Sequence, residues 1–322
     1  MFGMAVVCYL FLGGAGAGAC AVLAVASFFV PRDMLSRVRV DATGRSCESV
    51  IVPLEYQRLF SAGYAAALSA LLIGVVCLFV DLGRADRMLL LLQPKLTYLA
   101  IGAYALVACT AVSVAAALIW KGILLRVGRV WVFRFVGGAQ LILSLVVMLY
   151  TGLLLCDVRA VPLWSTPWLP ALFAFSALSC GIALVMAADK LSEGSRLFSS
   201  YSKVLVKADL AVIIVEALVL VGFAVSIAAA GADSTPTAIA AASSLDRLLL
   251  GDLSVAFWGG FVICGLAAPL LIEVGLTLFG RDASMVSLCA TTLVLVGGFA
   301  LRWCIVEAGA HPVAMTLAGG LL

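Results

Sequence analysis

Residues 59–80 read LFSAGYAAALSALLIGVVCLFV, a run of 22 residues without a single charge. About 20 mostly apolar residues in a helix cross the hydrocarbon core of a bilayer. The run shows no polar–apolar alternation, so it reads as a helix and not as a barrel strand. Seven other stretches have the same character: about 5–30, 97–119, 137–156, 168–188, 209–230, 254–279 and 284–304. The expected architecture is therefore all-α: a polytopic membrane protein of eight bundled transmembrane helices, with residues 1–322 forming a single transmembrane domain.

Composition agrees. The chain is 65% hydrophobic and 11% charged, with a mean hydropathy of +1.21. A soluble domain carries about 25% charged residues. The net charge of +3 gives no nucleic-acid footprint. Met1 to Met4 lack a basic n-region, and the run that follows is as long as a full span, so it reads as a retained first helix.

The loops orient the bundle. The segments after spans 1, 3, 5 and 7 hold 14 Lys and Arg residues, and the opposite set holds 6. The positive-inside rule places the first set in the cytoplasm and both termini outside. Trp120 and Trp131 then mark the inner interface, and Trp164, Trp168, Trp258 and Trp303 the outer one. Residues 31–58 read as a solvated cytoplasmic loop, and 231–253, rich in Ala, Ser and Thr, as an external one. Span 1 contains Gly14 and Gly18 at GxxxG spacing, for which close helix packing is a sufficient reading.

The metal chemistry open to the chain is narrow. Its one histidine, His311, lies beyond span 8, so it cannot supply the four axial ligands of a membrane dihaem site. Most of the ten cysteines lie in apolar runs and no CxxC occurs, so they read as small packing residues.

Two polar groupings remain. On the outer side are Tyr9, the loop residues Asp81, Arg84 and Arg87, then Tyr150, Thr151, Trp164, Ser165, Trp168 and Arg302. An amphipathic headgroup arriving from the lipid needs such rings, donors and acceptors; an ordinary interfacial belt with helix caps has the same composition. Toward the inner side lie Asp189, Asp209, Glu216 and Glu273. A carboxylate within the membrane costs roughly 2.5–3.5 kcal/mol at a helix centre on insertion scales. A proton path, a cation site, and pairing of Glu216 with Lys190, Lys203 or Lys207 all account for it.

Several strings, in order, resemble one family. Tyr9-Leu10-Phe11-Leu12-Gly13-Gly14 is similar to its first helix, and Asp81-Leu82-Gly83-Arg84-Ala85-Asp86-Arg87 to its DLGRPER loop. Tyr150-Thr151-Gly152 is similar to its YTG motif. Pro162-Leu163-Trp164-Ser165-Thr166-Pro167-Trp168-Leu169-Pro170, with Ser179-Cys180-Gly181, resembles the entry into its helix 5, and Leu301-Arg302 with Ala308-Gly309 its last helix. Ala85 and Asp86 depart from the proline and glutamate of the pattern, and helices 3, 6 and 7 match loosely. The chain thus resembles the NrfD-like membrane subunits of polysulfide-reductase-type complexes.

That resemblance implies a haem-free subunit of a bacterial or archaeal cytoplasmic membrane. It implies a quinone or quinol cofactor, menaquinone or ubiquinone, bound near the outer face. It further implies an iron–sulfur ferredoxin-type partner and a catalytic, molybdopterin-type subunit. Tyr150 and Thr151 would hydrogen-bond the headgroup, with Tyr9 and Trp164 shaping the pocket and Arg302 polarising an oxygen or holding a carboxylate. Asp81, Arg84 and Arg87 would order the outer loop or contact the partner. Separately from the resemblance, the inner placement of Asp189, Asp209, Glu216 and Glu273 would allow a proton path toward the cytoplasm. Competing readings are a cation-coupled secondary transporter, against which stands the lack of a visible inverted repeat, and a plain membrane anchor.

Overall fold

The computed structural model describes residues 3–30, 36–40, 46–50, 53–82, 98–123, 130–158, 161–191, 198–231, 235–279 and 284–309. The helices are α1 (Met4–Phe28), α2 (Leu54–Leu82), α3 (Tyr98–Trp120), α4 (Val130–Cys156), α5 (Trp168–Leu191), α6 (Phe198–Ala230), α7 (Pro236–Leu249), α8 (Ala268–Phe279) and α9 (Ser284–Gly309). A π-helical stretch, Ala256–Ala267, runs directly into α8. Eight of the described segments are long and apolar enough to cross a membrane; α7 is not among them.

Spans 4 and 6 begin earlier than hydropathy places them, at Val130 and Phe198 instead of 137 and 209. Hydropathy marks where lipid contact ends, whereas a helix continues as long as its backbone hydrogen bonds do.

Lipid tails are as apolar as leucine, so helices associate by close packing and not by hydrophobic exclusion. The small residues of α1 make it the central helix. In its most apolar 18-residue window 83% is buried, against 22% in α6. α1 touches α2, α4 and α5 extensively, and α9 less so. Its closest crossing is with α5: a Cβ built on Gly18 would lie 2.0 Å from the Ala177 carbonyl oxygen, and one on Gly181 2.2 Å from the Gly18 carbonyl carbon. Side chains at either position would force the helices apart. Gly265 of the π-helical stretch and Gly297 of α9 meet in the same way, at 2.1 Å.

Several regions differ from the sequence expectation. The loop between spans 1 and 2 contains an antiparallel hairpin, β1 (Ser36–Val40) with β2 (Ser46–Val50), in the register Ser36↔Val50 to Val40↔Ser46. The segment expected to be an external loop contains α7, whose cap is Thr235: its hydroxyl accepts from the Ala238 N–H at 3.4 Å, and Pro236 opens the helix. Arg247 near the end of α7 pairs with Asp252 through two bonds of 2.7 and 2.6 Å and donates to the Glu307 carbonyl at 3.4 Å. The guanidinium holds the exposed Asp252 carboxyl below the usual carboxylate range. Trp258 donates to the Leu249 carbonyl at 3.0 Å, joining α7 to the π-helical stretch.

Two tryptophans expected at the interfaces are core residues. Trp120 is buried, stacked on Phe60 with ring centroids 3.7 Å apart. Trp164 is buried in the short turn Pro162–Trp164, where its indole N–H donates to the Ile305 carbonyl at 2.9 Å. Each has a partner for its ring or its N–H inside the bundle, which removes the reason to sit at the lipid boundary. Trp131, Trp168 and Trp258 are exposed.

Candidate functional site

The polar residues assigned to the outer side from sequence divide into those whose polar atoms are engaged by the protein and those that remain available. Arg302 is wholly buried. Its Nε donates to the Leu10 carbonyl at 3.2 Å, Nη1 to Ser176 Oγ at 3.2 Å and the Gly298 carbonyl at 2.8 Å, and Nη2 to the Phe173 carbonyl at 3.4 Å. Phe173 and Phe11 place their rings 5.3 and 5.8 Å from its Cζ. One side chain thereby ties α1, α5 and α9 together. Trp164 is likewise engaged, and Gly309 leaves the space its indole fills: a Cβ there would lie 2.3 Å from Cε2. The Thr151 hydroxyl donates to the Met148 carbonyl at 2.7 Å, leaving its oxygen free only to accept.

Tyr9 and Tyr150 are different. Both rings are buried, at 2% and 4% exposure, and their phenols face each other from α1 and α4. The Tyr150 hydroxyl meets only the Tyr9 phenol, and no backbone group or other side chain satisfies it. Two facing phenols use one O–H between them, which leaves the other O–H and the remaining oxygen lone pairs for a further partner. Gly102 of α3 lies directly against the phenol. Leu106, one turn further along α3, lies beside Gly13 and the Tyr9 ring.

Asp81, at the end of α2, is exposed and lies beside the N-terminus of α1: its Oδ1 is 3.6 Å from a Cβ built on Gly3. A carboxylate there complements the exposed N–H groups and positive dipole end of α1. Arg84, Arg87 and His311 lie outside the described residues.

The carboxylates line a second column, through α5, α6, α8 and α9. Glu216 and Asp209 are buried on one face of α6, seven residues or about 10 Å apart. Glu216 lies beside Ser176, the hydroxyl that also receives Arg302, and within electrostatic reach of Arg302 and Asp209. Ser179 donates to Asp209 Oδ1 at 2.9 Å. Asp209 meets Glu273 of α8, and each keeps one oxygen, Oδ2 and Oε2, with no donor from the protein. Lys207, considered above as a partner of Glu216, is exposed; the nearby cation is Arg302 of span 8. Asp189 is half-buried beside Lys190. The order is thus Arg302, Ser176, Glu216, Asp209 with Ser179, then Glu273.

Sequence reading named the carboxylates and missed Ser176 and Gly102. The i, i+3 spacing of Ser176 and Ser179 places both on one face of α5. Nothing local marks Gly102.

The fold and these two columns define an eight-span α-helical membrane protein with a buried phenol pair near one end and buried carboxyls deeper in the bundle. The chain belongs to the NrfD polysulphide reductase family, whose model matches residues 1–314. It is 30% identical over 175 residues to Protein NrfD of Escherichia coli, covering 54% of this chain and 52% of that protein. It is 33% identical over 168 residues to the C subunit of the polysulfide reductase of Wolinella succinogenes, covering 52% and 51%. A Protein NrfD homolog from Haemophilus influenzae is 32% identical over 181 residues, covering 54% and 52%. The matches span about half the length of these relatives. The chain is thus a multi-pass membrane protein of that family.

Proposed function

We propose that the chain binds quinone or quinol between Tyr9 and Tyr150 and exchanges electrons between the membrane quinone pool and an iron–sulfur subunit of a complex whose catalytic subunit is of the molybdopterin type. The observation that carries this reading is the buried Tyr9–Tyr150 phenol pair, whose Tyr150 hydroxyl finds no partner beyond Tyr9, in a chain of this family. The residues fit a quinone headgroup. Tyr150 donates its O–H to a carbonyl oxygen, and the Thr151 oxygen, its proton already committed to Met148, accepts from a hydroxyl. Tyr9 packs against the ring. Leu106 and Gly13 close the apolar side toward the bundle interior. Menaquinol or ubiquinol supplies two electrons and two protons when oxidised. Arg302 and Trp164 act by holding α1, α5 and α9 around the site, since their own donors are engaged. Asp81, with Arg84 and Arg87, orders the outer loop against the iron–sulfur partner. The loop charges support an orientation with both termini and the site on the outer side of the cytoplasmic membrane.

The deeper column supports a second element of the reading: Glu216, Asp209 and Glu273, with Asp189 at the inner end, carry protons toward the cytoplasmic side. Neighbouring buried carboxyls repel when both are charged and are relieved by a shared proton. The orphan oxygens Oδ2 and Oε2 offer that position.

The direct test is quinol-dependent reduction of the partner's clusters in the purified complex after Tyr150→Phe. Loss of one hydrogen bond to a buried group, about 0.5–1.5 kcal/mol, predicts a few-fold to about tenfold weaker quinol use. Unchanged rates remove Tyr150 from the site. Glu216→Gln and Glu273→Gln are predicted to slow proton movement in liposomes while leaving electron transfer measurable; if both leave proton movement intact, the carboxylate route is wrong.

A further inference from the structure

An alanine at position 102 would place its Cβ 1.8 Å from Tyr150 Cζ, 2.0 Å from Cε2 and 2.2 Å from Cε1. These three atoms are the hydroxyl end of the ring. The phenol of α4 therefore occupies the volume that any side chain at this turn of α3 would need, with its hydroxyl end pressed against the α3 backbone. Ordinary contact begins at 3.4 Å, so a methyl group would have to displace the ring, or the helix, by well over an ångström. The ring is packed among buried neighbours: Tyr150 is 4% exposed, and Tyr9 and Leu106 are 2% exposed.

From this geometry we infer that Gly102 is a positioning residue for the headgroup site: its missing side chain sets where the Tyr150 hydroxyl is presented. The inference rests on the quinone-binding reading above. It assigns the precision of the site to the backbone of α3. α3 can do this despite being largely lipid-facing, with 33% of its apolar window buried, because contact with the phenol is at its backbone and not through a flexible side chain. A hydroxyl held by a rigid helix backbone is preorganised, and a displacement of an ångström is enough to lose a hydrogen bond to a bound ring.

The test is a double-mutant cycle on the full-length chain in lipid nanodiscs, read as binding of a short-chain quinone by quenching of tryptophan fluorescence. Tyr150→Phe removes the hydroxyl and leaves the ring. Gly102→Ala displaces the ring and leaves the hydroxyl. Each is expected to weaken binding about tenfold, and the double variant also about tenfold, because a phenyl ring has no hydroxyl left to misplace. Independent damage to packing would instead multiply to about a hundredfold, and that result overturns the inference. So does wild-type affinity in Gly102→Ala when Tyr150→Phe is weakened, which leaves the quinone reading standing. Wild-type affinity in Tyr150→Phe defeats both. If Gly102→Ala does not fold, Gly102→Ala/Tyr150→Ala must fold, since the methyl group then enters the space vacated by the ring; failure of that variant also overturns the inference.

Discussion

Replacing Gly181 by alanine tests the packing on which both columns depend. The new Cβ would lie 2.2 Å from the carbonyl carbon of Gly18, 2.4 Å from the backbone nitrogen of Ala19 and 2.7 Å from the Gly18 Cα. All three are backbone atoms, so no side chain can swing aside. Reaching ordinary contact at 3.4 Å requires α1 and α5 to separate by roughly 1.2 Å. Overpacking of a well-filled interior costs about 1–3 kcal/mol, and alanine returns about 0.5–1 kcal/mol as the better helix former, so a net loss of about 1–2 kcal/mol is expected. Gly275→Ala is the matched control: nothing lies within 4 Å of its Cβ, so only the helix-propensity gain remains. The assay is reversible unfolding of the purified chain in mixed micelles by titration with denaturing detergent. Gly181→Ala should unfold at lower detergent than wild type, and Gly275→Ala at the same level or higher. Indistinguishable curves for the two variants would refute the argument that backbone contact at this crossing holds α1 against α5.

Other outcomes follow from the charged residues. Arg302→Met should destabilise the fold by about 1–3 kcal/mol or more, because it leaves buried groups on α1, α5 and α9 without their donor and Glu216 without a cation within electrostatic reach. Arg302→Met/Glu216→Gln should recover part of that loss, and strict additivity in the same titration would exclude coupling between the two. At the membrane surface, Arg247 lowers the Asp252 carboxyl's proton affinity. The contribution of that pair is therefore present above the ordinary carboxylate range and disappears as pH falls through the lowered folded-state value. Hydrogen exchange in α7 should accelerate in that acidic window in wild type and lose this pH dependence in Asp252→Asn.

The twenty-odd-residue apolar runs were enough to establish eight helices, because a backbone in lipid must satisfy its own hydrogen bonds and a helix is the local way to do so. The carboxylates were legible as costly residues at membrane depth, and Tyr9, Tyr150 and Arg302 as polar residues near span ends. Their grouping was not. Arg302 and Leu10 are 292 positions apart, and which groups Arg302 satisfies depends on how α1, α5 and α9 cross. Trp164 has the composition of an interfacial anchor, yet a carbonyl 141 positions away buries it. Helix α7 had a local Thr-Pro start signal, but alanine, serine and threonine alone resemble a loop.

What the sequence by itself determined is therefore the solvent, the number of spans and the set of polar residues, since these follow from transfer energies counted residue by residue along the chain. Which polar groups are consumed by the protein and which are left over was decided only by the tertiary structure. The Tyr150 hydroxyl stayed available because nothing but the Tyr9 phenol reached it, and Gly102 became a candidate because a ring from another helix needed its missing Cβ. Hydrogen-bond satisfaction and steric exclusion are relations between helices, and no single stretch of sequence contains them.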